Sequence, residues 1–314
     1  MKDTIKKYIV WSAAAMMFAA CSGNEGETTA TDERVPVEFS ASVGVTETRA
    51  IDQSWSPTDA IGIYMVNKDA ELKDANISEG AANIRYVVNT GQANGFKADG
   101  TTIYYPMDGS AVDFYAYYPQ GSDAVKKGDT SGNYVYALNV ATQTNQEALD
   151  FMYSSNVKDC SKTNKAAALS FYHQLCKVVL TVKPGAGVSE SDLAGLTVKV
   201  NGQNTTATFD LTAGKLETDA SNSADITFYK QAEKYIYEAI LLPSTDASRT
   251  FEFDLNNSYN TPFTWNMNKE LPGGSKYRET EPFGRGSDRR YSAMERRKRR
   301  RGGCPLNKRD DNKR

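Results

Sequence analysis

The sequence predicts an all-β protein made of two tandem Greek-key β-sandwich domains. Short runs in which apolar and polar residues alternate recur along the chain, separated by turns rich in glycine, proline and polar residues. In the second half about seven such runs follow one another, which is the pattern of a Greek-key sandwich. The best helix candidate is a turn or two at 189–193. At 314 residues the chain is long enough for two domains, each with its own core.

The stretch 103–119 is predicted to form the hydrophobic centre of the first domain. Within 112–118, apolar residues alternate with Asp113, Tyr115 and Tyr117, so successive side chains point to opposite faces of a strand. One face is expected to be core, and tyrosines suit a face that a neighbour covers only in part. The preceding run IYYP and the turn residues MDGS predict that 103–105 and 112–118 form a hairpin.

The remaining strands divide between a first domain at 35–160 and a second at 166–277. A polar stretch around 156–165 is predicted as the linker, and Trp55 is predicted to be buried. In both halves a long aromatic-rich strand stops at a proline, which indicates that the two sandwiches are related. The other predicted strands are 35–45, 61–66, 84–88 and 134–140, then 169–182, 196–200, 207–211, 226–228, 235–242, 251–255 and 263–267.

The first twenty residues have the features of an export signal. Three lysines precede an apolar run at 8–20 that is too short to span a bilayer. Small residues then lead to Cys21, which matches a lipoprotein signal cut before a lipid-bearing cysteine; the alternative is an ordinary secretory signal with a chance cysteine. Several acyl chains on Cys21 would anchor the protein stably to a membrane. Residues 21–34 are polar and predicted to be a flexible tether.

The net charge of −2 conceals a strongly uneven distribution along the chain. Residues 278–314 contain 14 Lys or Arg and 6 Asp or Glu, a balance of +8, which leaves −10 for the rest. An acidic body argues against a nucleic-acid partner. Like charges at 296–301 oppose a sheet, so 278–314 is interpreted as a frameshifted or truncated end, the alternative being a genuine basic tail for anionic lipid or polysaccharide. The second domain is therefore expected to be incomplete.

Few residues suggest chemistry, and neither an enzyme nor a cofactor or metal site is predicted. The only histidine, His173, lies in a predicted strand with no second histidine to form a metal site. Sequence motifs of nucleophilic hydrolases, zinc proteases and phosphate-binding loops are absent. Cys160 and Cys176 are a candidate disulfide in an oxidising compartment, and the alternative is a buried Cys176 and an exposed Cys160 thiol.

Several motifs, taken in order, resemble the fimbrillin family of Bacteroidetes: TRA at 48–50, Trp55, IGIYM at 61–65, IYYP at 103–106, DFYAYYP at 113–119, DFMY at 150–153 and FYH at 171–173. The resemblance implies two transthyretin-like β-sandwich domains in a subunit of a surface fimbria. It also implies export to the outer membrane through lipid on Cys21. Its expected partners are other fimbrial subunits.

Arg49 is the candidate processing residue. From the residues alone it is either a solvated loop arginine or an accessible site for a trypsin-like protease. The resemblance implies that an arginine-specific protease cuts between Arg49 and Ala50 and removes the first strand, 35–45. A strand from another subunit then fills the exposed groove by β-augmentation.

A second interpretation is a surface glycan-binding lipoprotein of polysaccharide uptake. In that case exposed aromatic side chains such as Tyr104, Tyr115 or Tyr117 stack on sugar rings. Strand aromatics more commonly belong to a core than to a binding platform. A fimbrial subunit should form polymers after arginine-specific proteolysis, whereas a glycan binder should stay monomeric and be retarded on a polysaccharide gel.

Overall fold

Strands dominate the structure, a computed structural model that describes residues 34–44, 54–121, 123–127, 132–185, 188–232, 235–256 and 262–283. The described helices are one short turn of α-helix, α1, and two 3₁₀ turns at Asp74–Asn76 and Ser191–Leu193. The all-β prediction is confirmed. The elements are β1 Phe39–Val43, β2 Ala60–Asn67, β3 Ile84–Val88, β4 Gly95–Ala98, β5 Val112–Tyr118, β6 Val125–Lys127, β7 Tyr134–Asn139, α1 Gln146–Leu149, β8 Met152–Ser154, β9 Ala168–His173, β10 Cys176–Pro184, β11 Thr197–Asp210, β12 Lys215–Thr227, β13 Tyr229–Lys230, β14 Ile236–Leu241, β15 Ser248–Asp254, β16 Phe263–Asn268 and β17 Lys276–Phe283.

Seven strands form one sheet that closes on itself, in the order β1-β4-β3-β2-β5-β8-β9. Neighbouring strands in this closed sheet are antiparallel, except that β1 runs parallel to β9. The parallel pairing joins the first strand of the described chain to one much later in the sequence. Closure therefore depends on β1, because it bridges the two ends of an otherwise open sheet.

The other strands form a four-stranded sheet, β13-β14-β10-β17, and a six-stranded sheet. The six-stranded sheet has the order β16-β15-β11-β7-β6, with β12 paired along β11. Strands on both sides of the predicted division at 160–166 share sheets, since β6 and β7 join β11 while β9 joins the closed sheet. Strand pairing therefore crosses the predicted domain limits.

Two hydrophobic cores lie on opposite faces of β2 and β5. The barrel core, inside the closed sheet, includes Ile63 and Phe114. The interlayer core, between the closed sheet and the two others, includes Tyr64 and Tyr117, with side chains from β7, β10, β11, β14 and β15. Every residue of β5 is buried. The prediction that its tyrosine face is only partly covered was wrong, because the second half of the chain packs over it.

Aromatic side chains join the closed sheet to β7 and β11. The ring centroids of Tyr64 and Tyr134 are 4.8 Å apart, and those of Tyr117 and Tyr136 are 5.5 Å apart. A buried tyrosine hydroxyl usually keeps a hydrogen-bond partner. Tyr117 Oη donates to Asn83 Oδ1 at 2.7 Å, for example. Such aromatic pairs contribute about 0.5–1.5 kcal/mol each beyond their buried area.

Two predicted strand arrangements differ from those observed. The single strand expected at 169–182 breaks at 174–175, where β9 stays in the closed sheet and β10 enters the four-stranded sheet. The hairpin expected between 103–105 and 112–118 does not form, since β5 pairs with β2 and β8. Tyr104 instead makes a bridge with Pro36. Both errors arise because local alternation does not specify the partner of a strand.

The last described strand extends past residue 277, where the sequence predicts the second domain to end. β17 is an edge strand that runs parallel to β10, with Arg278 opposite Val179 and Phe283 opposite Pro184. Alternating apolar residues are not needed for this pairing, because the hydrogen bonds come from the backbone. The prediction of a tail beginning at 278 was wrong for 278–283, and the rest of it lies outside the described residues.

Gly62 provides a test of the packing between the closed sheet and its neighbours. A Cβ atom at Gly62 would lie 2.3 Å from Cε1 of Tyr117 and 2.6 Å from Oδ1 of Asn83. We therefore expect Gly62→Ala to lower the free energy of unfolding by about 2 kcal/mol, as overpacking does. Urea denaturation measures this change. Gly91→Ala, whose Cβ would be 3.5 Å from its nearest neighbour, is the control and should stay within about 0.5 kcal/mol. Equal effects would contradict the packing argument.

Candidate functional site

β1 is held in the closed sheet along both of its edges. On one edge the Ala41 amide donates to the Asn94 carbonyl at 2.8 Å. On the other, the Ser40 amide donates to Ala167 at 3.2 Å and the Gly44 amide to Phe171 at 2.7 Å. Removing β1 would leave donors and acceptors of β4 and β9 without partners, which makes both strands edges open to pairing.

The inward face of β1 and of the residues before it fills the barrel core. Val37, Phe39 and Ala41 alternate with polar residues and are each at most 3% exposed. The Phe39 ring packs edge-on against Tyr86 at 5.0 Å and Phe114 at 5.1 Å. Burying Val37 and Phe39 contributes about 3–6 kcal/mol. We call the space that these side chains and their backbone occupy the β1 slot.

Trp55, which is not part of β1, holds the C-terminal end of β1 in the slot. Its Nε1 donates to the Ala41 carbonyl at 2.9 Å. Its ring makes edge contacts with Phe96 at 5.2 Å and with Phe171 at 5.3 Å, one residue on each strand that flanks β1. The tryptophan is half-buried and packs on the barrel core, where the sequence predicts a buried residue.

The ring of Tyr172 packs against Gly44, the residue that directly follows β1. A Cβ at Gly44 would lie 2.5 Å from Cε1 of the Tyr172 ring, so the ring lies against the glycine backbone. Tyr172 is 43% exposed, on the outer side of β9. A strand that occupies the slot must therefore have a small residue at this position, unless the tyrosine ring moves.

A cleft of about 370 Å³ opens beside the beginning of β1. β1 pairs with β9 only from Ser40 onward, opposite Ala168. Before that point the chain bonds instead to 103–105, where the Val37 amide donates to Ile103 at 2.9 Å. Glu38 and Lys165 lie in the lining of the cleft. The entrance of the slot is thus more open than its Trp55 end.

The predicted lipidation and processing residues, Cys21, Arg49 and Ala50, lie outside the described residues. In the sequence, Arg49 stands between β1 and Trp55. A cut at that position would separate β1 from the strands that it pairs with, while Trp55 would stay with them. Lipidation of Cys21 and cleavage at Arg49 remain predictions.

Cys160 and Cys176 do not form the candidate disulfide in the structure. Both thiols are free and buried, and they belong to different cores: Cys160 to the barrel core and Cys176 to the interlayer core. Burial raises the pKa of Cys176 to about 11 and also raises that of Cys160. Both thiols therefore stay protonated and poorly reactive at neutral pH. The alternative is correct for Cys176, whereas Cys160 is not the exposed thiol that it predicts.

The remaining candidate residues of the sequence are one histidine and three tyrosines, and each of them packs against or bonds to other residues of the fold. His173 Nδ1 lies 2.7 Å from Asp150 Oδ1. Tyr115 and Tyr117 are buried in the interlayer core, so they offer no stacking platform for sugars. The half-buried Tyr104 ring packs under the Arg34 guanidinium at 4.6 Å. The described residues contain no cluster of three potential metal ligands, and none of their helices is long and apolar enough to cross a membrane.

The hydrogen bond from Trp55 can be tested by substitution. Trp55→Phe keeps an aromatic ring but removes the donor to Ala41, so we expect the free energy of unfolding to fall by about 1 kcal/mol more than in a control variant. Trp265→Phe is that control, because Trp265 is also half-buried and packs on Phe251 at 5.0 Å. Urea unfolding of both variants gives the difference. Equal losses would show that the bond does not stabilise β1.

Free thiols give a second test. Unfolding the protein without reductant in the presence of iodoacetamide should alkylate both Cys160 and Cys176, because neither is oxidised. Peptide mass spectrometry reads the modification at each site. A linked peptide containing both residues would contradict the structure.

The comparisons with known proteins agree with the sequence motifs. The family described as fimbrillin-like matches residues 48–289. A Bacteroides uniformis protein named "Putative fimbrium subunit Fim1C" is 34% identical over 276 residues, which cover 84% of this chain and 86% of that protein.

Solved structures show the same fold. A "putative cell adhesion protein" from Bacteroides uniformis matches with a TM-score of 0.67 and 31% identity, over 81% of this chain and 95% of that one. Another, from Bacteroides ovatus, matches with a TM-score of 0.56 and 21% identity, over 80% of this chain and 93% of that one, and shares the fold. The chain therefore belongs to the fimbrillin-like family.

Proposed function

We propose that this protein is a structural and adhesive subunit of a cell-surface fimbria, assembled when a strand from another subunit replaces β1. The observation that carries the proposal is the position of β1: it closes the seven-stranded sheet, it fills part of the barrel core, and Arg49 stands between it and Trp55 in the sequence. Membership of the fimbrillin-like family supports the same conclusion. The proposed architecture is a pair of transthyretin-like sandwiches, and the role is structural, without catalysis.

Export and anchoring come first in this scheme. The signal peptide, 1–20, directs the chain out of the cytoplasm, and lipid on Cys21 attaches it to the outer membrane. Residues 21–34 form the tether between the lipid and the fold. A cut after Arg49 then separates the lipid and β1 from the rest of the subunit, which is free to join a polymer.

Loss of β1 creates the driving force for assembly. Phe114 and Tyr86 lose the Phe39 ring that packs on them, and the carbonyl of Asn94 loses its donor. Leaving the slot empty costs the burial of Val37 and Phe39, about 3–6 kcal/mol, together with unsatisfied backbone groups. An incoming strand with apolar residues at the same spacing restores both the apolar burial and the backbone hydrogen bonds.

In this scheme the donor strand comes from another polypeptide. β17, the last described strand, is already paired with β10 of its own chain. Its parallel arrangement beside β10 matches that of β1 beside β9. A parallel strand added to the β9 edge therefore has the same relation to its neighbour that β17 has to β10.

Arginine-specific proteolysis of the folded protein tests the proposal. We expect a new N-terminus at Ala50 and release of the peptide that contains β1, followed by polymers when a donor subunit is supplied. Edman sequencing or mass spectrometry identifies the cut, and size-exclusion chromatography follows the polymers. Arg34 is exposed, so a cut there must be distinguished by its N-terminus at Val35. Arg49→Lys is the matched control, because it keeps the charge and removes the cleavage site.

A synthetic peptide of residues 35–45 separates cleavage from assembly. Added in excess to the cut protein, it should refill the slot and block polymer formation. The same peptide with Phe39→Asp should not, because a carboxylate would enter the barrel core. If the cut protein is stable, binds no peptide and stays monomeric with every donor subunit, strand replacement is wrong.

A further inference from the structure

Arg249, near the start of β15, carries a buried charge that no carboxylate of the described residues contacts. It is 3% exposed, and its hydrogen-bond partners among the described residues are both neutral. Two other buried charged residues have partners of opposite charge: Lys177 Nζ lies 3.2 Å from Glu238 Oε2, and Asp113 Oδ2 lies 3.3 Å from Lys158 Nζ. Burying a charge without a partner of opposite charge lowers the free energy of unfolding, so Arg249 differs from Lys177 and Asp113.

The two protein partners of Arg249 use only part of its donor capacity. Nε donates to Gln203 Oε1 at 3.2 Å, and Nη1 donates to the Lys269 carbonyl at 2.7 Å. A guanidinium has five N–H donors, so others remain for an additional acceptor. Burial lowers the pKa of Arg249, because the charged form loses hydration, whereas the charge of Asp246 acts in the opposite direction. A bound anion would stabilise the charged form further.

Arg249 lines a pocket of about 200 Å³ at a break in the six-stranded sheet. β11 pairs with β15 through 197–200 and with β7 through 206–210. At the break Gly202 has a φ of 59°, a left-handed conformation that favours glycine. The polar lining includes Gln203, Asn204 and Ser244. Leu242 and Pro243 add an apolar wall.

The charges around the pocket favour an anion with one negative charge. Arg249 supplies one positive charge, and the exposed Asp246 contributes a negative charge to the same lining. A phosphate dianion would be repelled by Asp246 and only half neutralised by Arg249. A carboxylate matches the planar guanidinium and needs one positive charge. The pocket is smaller than the 300–1,000 Å³ typical of drug-sized ligands, so the acid must be small.

We propose that Arg249 and the surrounding pocket bind a small monocarboxylate, such as a hexuronic acid. The carboxylate contacts the guanidinium, the polar lining accepts or donates to hydroxyl groups, and Leu242 and Pro243 contact the carbon skeleton. This site is in a different sheet from β1, and it does not depend on strand replacement.

Calorimetric titration of the full-length protein tests the site with defined probes. Glucuronate should bind, while glucose, which lacks the charge, and glucose 6-phosphate, which carries a dianion, should bind at least about tenfold more weakly. Acetate should compete with glucuronate, because it supplies the same carboxylate. If neither acetate nor glucuronate binds at millimolar concentrations, or if glucose binds as tightly as glucuronate, the inference is wrong.

Two variants assign the binding to this pocket. Arg249→Gln should weaken glucuronate binding at least about tenfold, and circular dichroism checks that it still folds. Asp246→Asn should tighten binding about fivefold, because it removes the competing negative charge. Its Oδ1 can still accept from the Ser248 amide, as the carboxylate does at 2.9 Å, so this variant decides the question if Arg249→Gln does not fold. Unchanged or weaker binding by Asp246→Asn would overturn the assignment.

Discussion

The packing of both faces of β2 and β5 holds the two halves of this protein together. Each strand sends alternate side chains into the barrel core and the interlayer core, so the same backbone supports both. Aromatic contacts, such as that of Tyr64 with Tyr134, then join β2 and β5 to β7. β1 is different, because its buried side chains reach only the barrel core. Loss of β1 would remove side chains from the barrel core, whereas the interlayer core would keep all of its side chains.

Local pattern was sufficient to predict most of the strands and the order in which they follow one another. It correctly identified 112–118 as a central strand, because its alternation is strong and its residues are aromatic. It could not show that a second core covers Tyr115 and Tyr117, since that depends on strands far along the chain. β17 was missed for a related reason: a polar edge strand is specified by its partner's backbone rather than by its own periodicity.

The candidate site was only partly visible in the sequence. The first strand could be identified from its alternation, and the role of Arg49 stays a prediction, but the roles of Trp55 and Gly44 required the structure. The Trp55 bond to Ala41 spans a loop, and the contact of Gly44 with Tyr172 joins residues from opposite ends of the closed sheet. Arg249 gave no signal at all, because an arginine in an alternating strand is ordinarily a solvated residue. Its burial depends on residues 202–204, residues 241–246 and Lys269, which meet around it.

The parallel pairing of β1 with β9 also determines when the closed sheet can be completed. β1 is the first of the seven strands to be synthesised, yet its partner Ala168 emerges only after five of the others. Its antiparallel contact with β4 covers just two residue pairs, Phe39 with Phe96 and Ser40 with Gly95. Pairings between such distant segments form slowly, because loop closure must precede their stabilisation. Closure is thus a late folding event, and β9 remains an open edge until β1 pairs with it.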